Sequence, residues 1–483
     1  MKERVLLVGS VTEVDFPNKG KLMPTGESPE IPEENPAGIC FIQPTREYGP
    51  LHIKNVLPGQ KWLVSTRVKG RFSKEATPIK LLEKAPYEIK APCPHADNCG
   101  GCSYQSVPYE DQLKLKEAQV KKLLLDIPGI REAMEEGRFL PIHQSPLKEG
   151  YRNKMEFSFG DEVKGGELTL GLHKRGAFHD ILSTPGCRLI HPDMQVLVRE
   201  TEAFFRAEKT PYYHSYSKEG ILRHLVLRRS FAENRILVNL VTTSKADPEL
   251  IERYKDFLLG PSMDGQISGI LHTVNDSVAD VVRADEVKLL YGKDYLIEKL
   301  LGLTFKIFPF SFFQTNTKGA EVLYQIVRDF AGDVSQREVF DLYCGTGTIA
   351  QIMAAAGAKS VQGIELVEEA VIAAKENAEC NGLSNCRFIA GDVLKLVESL
   401  DGKPDLIILD PPRDGIHPKA MPKLLAYQPK QFIYVSCKPT SLVRDLPFML
   451  EAGYRIEKIT CCDMFPSAVH CEVVVSLVRD EGK

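Results

Sequence analysis

The chain has 483 residues, of which 43% are hydrophobic and 26% are charged, a balance typical of a globular protein with several domains. No apolar run approaches the roughly 18 residues that cross a bilayer, and residues 1–9 lack the apolar length of a signal peptide. We therefore expect a cytoplasmic protein.

Twelve cysteines in such a chain suggest metal ligands, a nucleophile or core residues rather than disulfides. With a formal net charge of −4, a nucleic-acid-binding surface would need its basic residues gathered on one face.

The N-terminal segment contains short apolar runs separated by glycine and proline, for example residues 5–8, 39–42 and 62–64. Short strands with turn residues between them are typical of a small β-barrel. We predict a barrel of the OB type over residues 1–90 and a helix over residues 108–126.

The middle of the chain mixes strand-like and helix-like patterns, which predicts an α+β domain over residues 91–310. Its candidate strands are residues 154–160, 168–173, 221–228, 236–241 and 267–274. Three arginines on one of these strands, Arg223, Arg228 and Arg229, are compatible with phosphate contact or with a solvated charged face.

The last part of the chain, residues 311–483, alternates strands and helices, which predicts an α/β domain with a doubly wound parallel sheet. Ligands of such sheets bind at the carboxyl ends of the strands. The predicted strands are residues 339–342, 360–364, 386–390, 405–409 and 431–435.

A glycine-rich loop, Gly345-Thr346-Gly347, follows the first of these strands, and Glu365 ends the second strand 20 residues beyond Gly345. Glycines let backbone amides approach a ligand at a helix N-terminus, and a carboxylate at the second strand end can accept hydrogen bonds from ribose hydroxyls. A nicotinamide enzyme usually shows G-x-G-x-x-G, which this loop lacks. Asp392 and Asp410 follow the third and fourth strands, so a ligand site is favoured over a plain turn.

The fifth strand runs into Ser436-Cys437-Lys438, which puts Cys437 at the same edge as the ligand site. A lone cysteine is most often a small core residue. Cys437, however, is predicted to lie at the ligand edge, and the neighbouring lysine would lower its thiol pKa. These two features make Cys437 a candidate nucleophile.

Four cysteines form a separate candidate site. Cys93, Cys99 and Cys102 have the spacing C-x5-C-x2-C, and Cys187 lies in a similar Pro-Gly-Cys turn. From spacing alone, zinc and a [4Fe–4S] cluster are equally compatible with four thiolates, whereas a radical enzyme would show C-x3-C-x2-C.

Motifs collinear over roughly residues 90–480 resemble the RNA 5-methyluridine (uracil-C5) methyltransferase family. They are Tyr151-Arg152-Asn153-Lys154, Phe312-Phe313-Gln314-x-Asn316, Asp410-Pro411-Pro412-Arg413-x-Gly415, Ser436-Cys437, Arg444-Asp445-Leu446, Asp463-Met464-Phe465-Pro466 and His470-x-Glu472. The resemblance implies a Rossmann-like class I methyltransferase domain, an RNA-binding TRAM barrel at the N-terminus, and S-adenosylmethionine as cofactor. It further implies that the cofactor binds at Gln314, Tyr343, Glu365 and Asp410.

By the same resemblance, Cys437 is the nucleophile that adds to C6 of uracil, and Glu472 is the base that removes the C5 proton. The cluster-bearing branch of the family implies a [4Fe–4S] cluster on Cys93, Cys99, Cys102 and Cys187. The cluster is typical of the ribosomal RNA branch, although some transfer-RNA enzymes also carry it, so we expect 23S ribosomal RNA as substrate, with transfer RNA as the alternative. We also expect a monomer.

Two other classes of protein remain to be weighed. A cytosine-C5 methyltransferase would generally carry a second cysteine after the proline pair, where this chain has Arg413. A non-catalytic RNA-binding protein would have no use for both Cys437 and Glu472. We therefore favour the uracil enzyme.

Overall fold

The computed structural model describes residues 2–30, 39–44, 47–67, 74–214, 217–278 and 284–480. The chain forms two compact units. The first comprises Met1–Ala91, Ser103–Asp126 and Ser467–His470, and the second comprises Pro92–Cys102, Ile127–Pro466 and Cys471–Lys483. The division of the chain near residues 90 and 310 stays a prediction. Among the described residues, no helix is long and apolar enough to cross a membrane.

The described residues of the first unit form one sheet and one helix. The sheet has the order β4-β2-β1-β5-β6, with β3 paired in parallel to β1. A bridge between His52 of β4 and Glu75, two residues before β6, joins the two ends of this order. The sheet is therefore barrel-like, as the sequence predicts. Its elements are β1 (Lys2–Asp15), β2 (Lys19–Pro24), β3 (Ile39–Ile42), β4 (Leu51–Lys54), β5 (Lys61–Arg67), β6 (Thr77–Glu83) and α1 (Tyr109–Leu124).

The second unit begins with a seven-stranded sheet of order β13-β12-β11-β10-β7-β8-β9. Its neighbouring strands are antiparallel except for β11 and β12, which are parallel. Helices α3 and α4 contribute apolar side chains to the same core as the central strands. The elements are α2 (Ile130–Glu135), β7 (Lys154–Asp161), β8 (Leu168–Lys174), β9 (Ala177–Ser183), α3 (Pro192–Ala207), β10 (Leu222–Ser230), β11 (Arg235–Thr242), α4 (Pro248–Leu258), β12 (Gln266–Val274) and β13 (Glu286–Gly292).

The three arginines of β10 are buried, with exposed fractions of 3% for Arg223, 4% for Arg228 and 8% for Arg229. Strand β10 lies inside the sheet, so the prediction that these arginines form a solvated charged face is wrong. Arg228 donates a 2.8 Å hydrogen bond to the carbonyl of Ser311, and Arg223 donates to the carbonyls of Asn275 and Ser277. Arg223 and Arg228 therefore hold neighbouring segments of backbone rather than phosphates, and Arg229 donates to the side chain of Asn234 at 2.6 Å.

The same unit continues with a hairpin, β14–β15, and a second seven-stranded sheet of order β18-β17-β16-β19-β20-β22-β21. The first five strands of that order are parallel, whereas β22 is antiparallel to both β20 and β21. The elements are β14 (Leu296–Leu300), β15 (Leu303–Ile307), α5 (Thr317–Ala331), β16 (Glu338–Leu342), α6 (Thr348–Ala355), β17 (Ser360–Glu365), α7 (Glu368–Cys380), β18 (Cys386–Ala390), α8 (Val393–Leu396), β19 (Leu406–Leu409), α9 (Met421–Ala426), β20 (Gln431–Ser436), α10 (Thr440–Glu451), β21 (Tyr454–Cys462) and β22 (Glu472–Arg479).

The predicted doubly wound sheet is confirmed. Strand order reverses between β16 and β19, where the chain leaves the centre first toward one edge and then toward the other. In open sheets of this kind, a crevice for ligands forms at that point, outside the carboxyl ends of the strands.

Candidate active site

The glycine-rich loop lies at this crevice, between β16 and α6. Gly345 and Gly347 have positive φ angles of 53° and 71°, and a Cβ at Gly347 would lie 2.6 Å from a ring carbon of Phe388. Both glycines are therefore required by backbone conformation, and Gly347 by space as well. Tyr343, the first residue of the loop, has a φ of 67°, which is unusual for a residue with a side chain.

Glu365, the last residue of β17, uses both carboxylate oxygens. Gly345 N–H donates to Oε2 at 3.0 Å, and Val367 N–H donates to Oε1 at 2.9 Å. The carboxylate is therefore fixed beside the glycine loop.

Gln314 lies in the segment between β15 and α5, and hydrogen bonds of the Asn153, Asn316 and Tyr324 side chains hold this segment. Asn153 donates to the carbonyl of Gln314 at 3.0 Å and to the hydroxyl of Thr317 at 2.8 Å. Asn316 accepts from Gly319 N–H at 2.9 Å as the N-cap of α5, and donates to the carbonyl of Met464 at 2.8 Å. The side chain of Gln314 is hydrogen-bonded to the buried Tyr324.

Cys437 and Glu472 are brought together by strand pairing. Ser436 of β20 pairs with Val473 of β22 in an antiparallel register, so the next positions, Cys437 and Glu472, face each other at the strand ends. Asp410 follows β19, the other neighbour of β20. The three side chains therefore share one edge of the sheet.

Burial controls the ionisation of these three groups. It raises the pKa of Glu472 to about 8 and that of Asp410 to about 7, and the charge of Asp410 adds to the shift of Glu472. Burial also raises the pKa of the Cys437 thiol to about 11, and the charges of Glu472 and Asp410 act in the same direction. All three groups therefore retain protons at neutral pH more strongly than they would in water.

The cation that opposes these shifts is Arg413. Its charge lowers the pKa of both Cys437 and Glu472, against the larger effect of burial. The sequence suggested Lys438 for this role, because Lys438 is the next residue in the chain. The pKa of the Cys437 thiol therefore responds to Arg413, which is near in space, and not to Lys438, which is near in sequence.

Asp341 and Tyr324 also interact electrostatically with Asp410 at this site, and neither was predicted as a site residue from the sequence. Asp341 is fully buried at the end of β16 and accepts Ala350 N–H at 2.8 Å, and burial raises its pKa to about 8. Burial and the charge of Asp410 raise the pKa of Tyr324. An acid in an otherwise apolar strand, Val339–Leu342, is the signal that could have identified Asp341.

The four cysteines of the second candidate site lie in one region. Burial raises the pKa of Cys187 to about 12, and the other three thiols, Cys93, Cys99 and Cys102, contribute in the same direction. Gly186 N–H donates to His95 Nε2 at 3.2 Å, which joins the Cys187 turn to the C-x5-C-x2-C segment.

Arg175 organises the loop that carries three of these cysteines. Its guanidinium donates to the carbonyls of Ala96, Cys99 and Cys102 at 2.9 to 3.3 Å. Its backbone N–H donates to the carbonyl of Asn98 at 2.7 Å. Arg175 therefore supports the cysteine loop.

The donor set suits an iron–sulfur cluster better than it suits a hard metal. Cys99 and Cys187 are buried, and Gly101 N–H lies 3.4 Å from the Cys99 sulfur, a contact of the kind that stabilises cluster thiolates. Among the residues that the structure describes, however, no group of three or more histidine, cysteine, aspartate or glutamate side chains is already arranged to hold a metal ion.

Known proteins are similar to the C-terminal part of the chain and to nearly its whole length. A family model described as tRNA (Uracil-5-)-methyltransferase matches residues 266–480. An uncharacterized RNA methyltransferase of Clostridium tetani is 48% identical over 445 residues, covering 92% of this chain and 95% of the relative. Another, of Clostridium acetobutylicum, is 45% identical over 463 residues, covering 95% and 99%.

The solved structure of Pyrococcus abyssi tRNA (uracil-54, C5)-methyltransferase in complex with S-adenosyl-L-homocysteine has the same fold. Its TM-score is 0.72 at 24% identity, and the match covers 97% of this chain and 100% of that chain. The C-terminal sheet is therefore a methyltransferase fold. Together with the relatives, this shows that the chain belongs to the RNA uracil-5-methyltransferase family and is an RNA methyltransferase.

Proposed function

We propose that the protein methylates C5 of a uridine in RNA, with S-adenosylmethionine as methyl donor and with Cys437 forming a covalent bond to the base. The observation that carries the proposal is the juxtaposition of Cys437 and Glu472 across the β20–β22 pair, at the edge where the glycine loop lies. A nucleophile and a base side by side next to a nucleotide-type loop fit this reaction better than RNA binding alone.

The chemistry explains the need for both residues. Uracil C5 is a poor nucleophile, so addition of the Cys437 thiolate to C6 creates an enolate whose C5 can accept a methyl group. Bound S-adenosylmethionine supplies the electrophilic methyl. Glu472 then removes the C5 proton, and the C6–sulfur bond breaks to release the thiolate. The raised pKa of Glu472 makes it a stronger base than an exposed glutamate.

Four residues are proposed to bind the cofactor. Glu365 would accept the ribose hydroxyls, Gln314 and Tyr343 would contact the cofactor as well, and Asp410 would act on both the cofactor and the target base. The fixed carboxylate of Glu365 and the buttressed segment of Gln314 support these roles.

The cluster is proposed as [4Fe–4S], held by Cys93, Cys99, Cys102 and Cys187. Three features support a soft-metal site: the mutual influence of the four thiols, the burial of two of them and the amide beside the Cys99 sulfur.

The resemblance to the cluster-bearing branch of the family favours 23S ribosomal RNA as substrate. The matched family model and the Pyrococcus abyssi protein are named for transfer RNA, which is the competing substrate.

The N-terminal sheet is proposed as a TRAM barrel that binds RNA, within a cytoplasmic monomer divided near residues 90 and 310. Its barrel-like connection through His52 and Glu75 supports this assignment.

The test is methyl transfer from S-adenosylmethionine to unmodified transcripts of 23S ribosomal RNA and of transfer RNAs, followed by nucleoside analysis. We expect 5-methyluridine with the wild-type protein and none with Cys437→Ala. Label in 5-methylcytidine, or none in either RNA, would overturn the proposal. Label in transfer RNA alone would reverse the substrate preference.

A further inference from the structure

A cluster of aromatic rings and lysines lies at the open end of the β14–β15 hairpin. Leu296 pairs with Ile307, so the residues just outside the pair, Tyr295 and Phe308, lie opposite each other. Their ring centroids are 6.2 Å apart with planes inclined by 60°. Both rings are partly exposed. We call Lys293, Tyr295, Lys306 and Phe308 the hairpin platform.

The lysines of the hairpin platform lie over its rings. The Nζ of Lys306 is 4.5 Å from the ring centroid of Tyr295 and 4.7 Å from that of Phe308, and the Nζ of Lys293 is 5.4 Å from that of Tyr295. These are cation–π distances, and each ammonium retains its N–H donors for a further ligand.

Neither lysine is neutralised by a carboxylate within the part of the chain that the structure describes. Other surface lysines have acidic partners, such as Lys255 with Glu252 and Lys359 with Glu338. The chain as a whole carries a net charge of −4, and these two lysines lie over aromatic rings without an acidic partner among the described residues. Positive charge above π faces complements a nucleic acid, whose phosphates bind ammonium groups and whose bases stack on rings.

We propose that the hairpin platform binds unpaired nucleotides of the RNA substrate outside the reaction site, a role that rests on the proposed function. Two features favour single-stranded RNA over a duplex or a protein. Stacking needs bases freed from pairing, and a target base must leave its own stack to reach Cys437. Phe308 is six residues before Gln314, so the platform lies within roughly 20 Å of the proposed cofactor residue along the chain.

The test uses the full chain and a fluorescein-labelled, unstructured 15-nucleotide RNA, with anisotropy measured over a range of salt concentrations. The double variant Lys293→Ala/Lys306→Ala is compared with Lys255→Ala/Lys359→Ala, which removes the same charge elsewhere. We expect the platform variant to bind about tenfold more weakly and to reduce the log–log salt slope by about 1.4, for two phosphate contacts. Tyr295→Leu should weaken binding about tenfold with little change in slope.

Equal affinity and equal slope in the platform and control variants would overturn the inference. Calorimetry with S-adenosylmethionine and a melting curve on each variant separate local loss of RNA binding from misfolding, because the platform variants should match wild type in both. A wild-type protein that binds the RNA through the platform but makes no 5-methyluridine would contradict the proposed function alone. Loss of affinity for a matched hairpin duplex, with no loss for the single strand, would assign the platform to a different RNA form and overturn the inference as stated.

Discussion

The hydroxyl of Tyr434 donates a 2.7 Å hydrogen bond to Oδ2 of Asp445, which joins strand β20 to helix α10. The same oxygen accepts Ile416 N–H at 2.9 Å, and Oδ1 accepts Nε of Arg444 at 2.7 Å. Arg444 in turn donates to the carbonyl of Ile416. One buried carboxylate therefore ties the strand that immediately precedes Cys437 to the loop that follows Asp410.

This arrangement predicts that Asp445→Ala lowers both stability and turnover. The change leaves the Tyr434 hydroxyl and the Ile416 N–H without their acceptor, and each lost bond to a charged group costs about 1.5–3 kcal/mol. We expect denaturant unfolding to show a loss of about 3 kcal/mol, and kcat to fall more than the KM for S-adenosylmethionine changes. Glu451→Ala, at the exposed end of the same helix, is the control. Undiminished kcat in a destabilised Asp445→Ala protein would limit the network to a structural role.

The pH dependence follows from the raised pKa values of Glu472 and Cys437. Proton removal needs ionised Glu472 and addition needs the thiolate, so both steps are favoured as pH rises. Because the pKa of Glu472 is about 8 and that of Cys437 about 11, kcat/KM should increase between about pH 6 and about pH 9. A single-turnover assay over this range, with Arg413→Gln for comparison, measures the effect. Removing the Arg413 charge should move the profile to higher pH, and a profile flat above about pH 6 would contradict the assigned base.

Much of this site could be predicted from local pattern, and the rest could not, for identifiable reasons. The strand over Cys386–Ala390 has the predicted bounds, since its apolar run ends at a glycine. The pairing of β20 with β22 joins residues 37 to 47 positions apart, and no periodicity in the sequence encodes it. The predicted place of Glu472 beside Cys437 therefore depended on family resemblance. Arg228 was misread because its strand lies inside a sheet, which a single sequence does not reveal.

Cofactor affinity should depend on Glu365. Glu365→Ala removes the proposed charge-assisted contact to ribose and also the acceptor of Gly345 N–H, so affinity should fall by about 1.5–3 kcal/mol. Isothermal titration with S-adenosylmethionine measures the change, and Glu368→Ala in the first turn of α7 is the matched control. Unchanged affinity in Glu365→Ala would mean that the ribose is held elsewhere. NAD should not bind to the wild-type protein.

The cluster proposal predicts about four irons and four sulfides per chain in anaerobically purified protein, with a brown colour. Cys187→Ser should lose iron as completely as Cys99→Ser, while Cys380→Ser, at an exposed cysteine, should retain it. Arg175→Ala should load less iron, because the carbonyls of the cysteine loop lose their shared donor. Colourless protein with one zinc would contradict the cluster, and full loading of Cys187→Ser would place the fourth ligand elsewhere.

The covalent mechanism predicts different products from the two catalytic variants. Cys437→Ala lacks the thiol that adds to C6, so it should form no RNA adduct and no 5-methyluridine. Glu472→Gln keeps the thiol but cannot remove the C5 proton after methyl transfer. Because elimination of the thiolate requires that proton to leave, Glu472→Gln should accumulate a covalent protein–RNA complex.

Denaturing gel electrophoresis with labelled RNA measures this accumulation as a slow band. Wild-type protein with 5-fluorouridine RNA should give the same band, because fluorine at C5 cannot leave as a proton does. The matched control is Glu457→Gln, on the neighbouring strand β21, which should turn over without a trapped band. A band from Cys437→Ala would assign the nucleophile to another residue. Absence of a band from both Glu472→Gln and the fluorinated RNA would exclude a covalent intermediate, since each blocks only the step that resolves it.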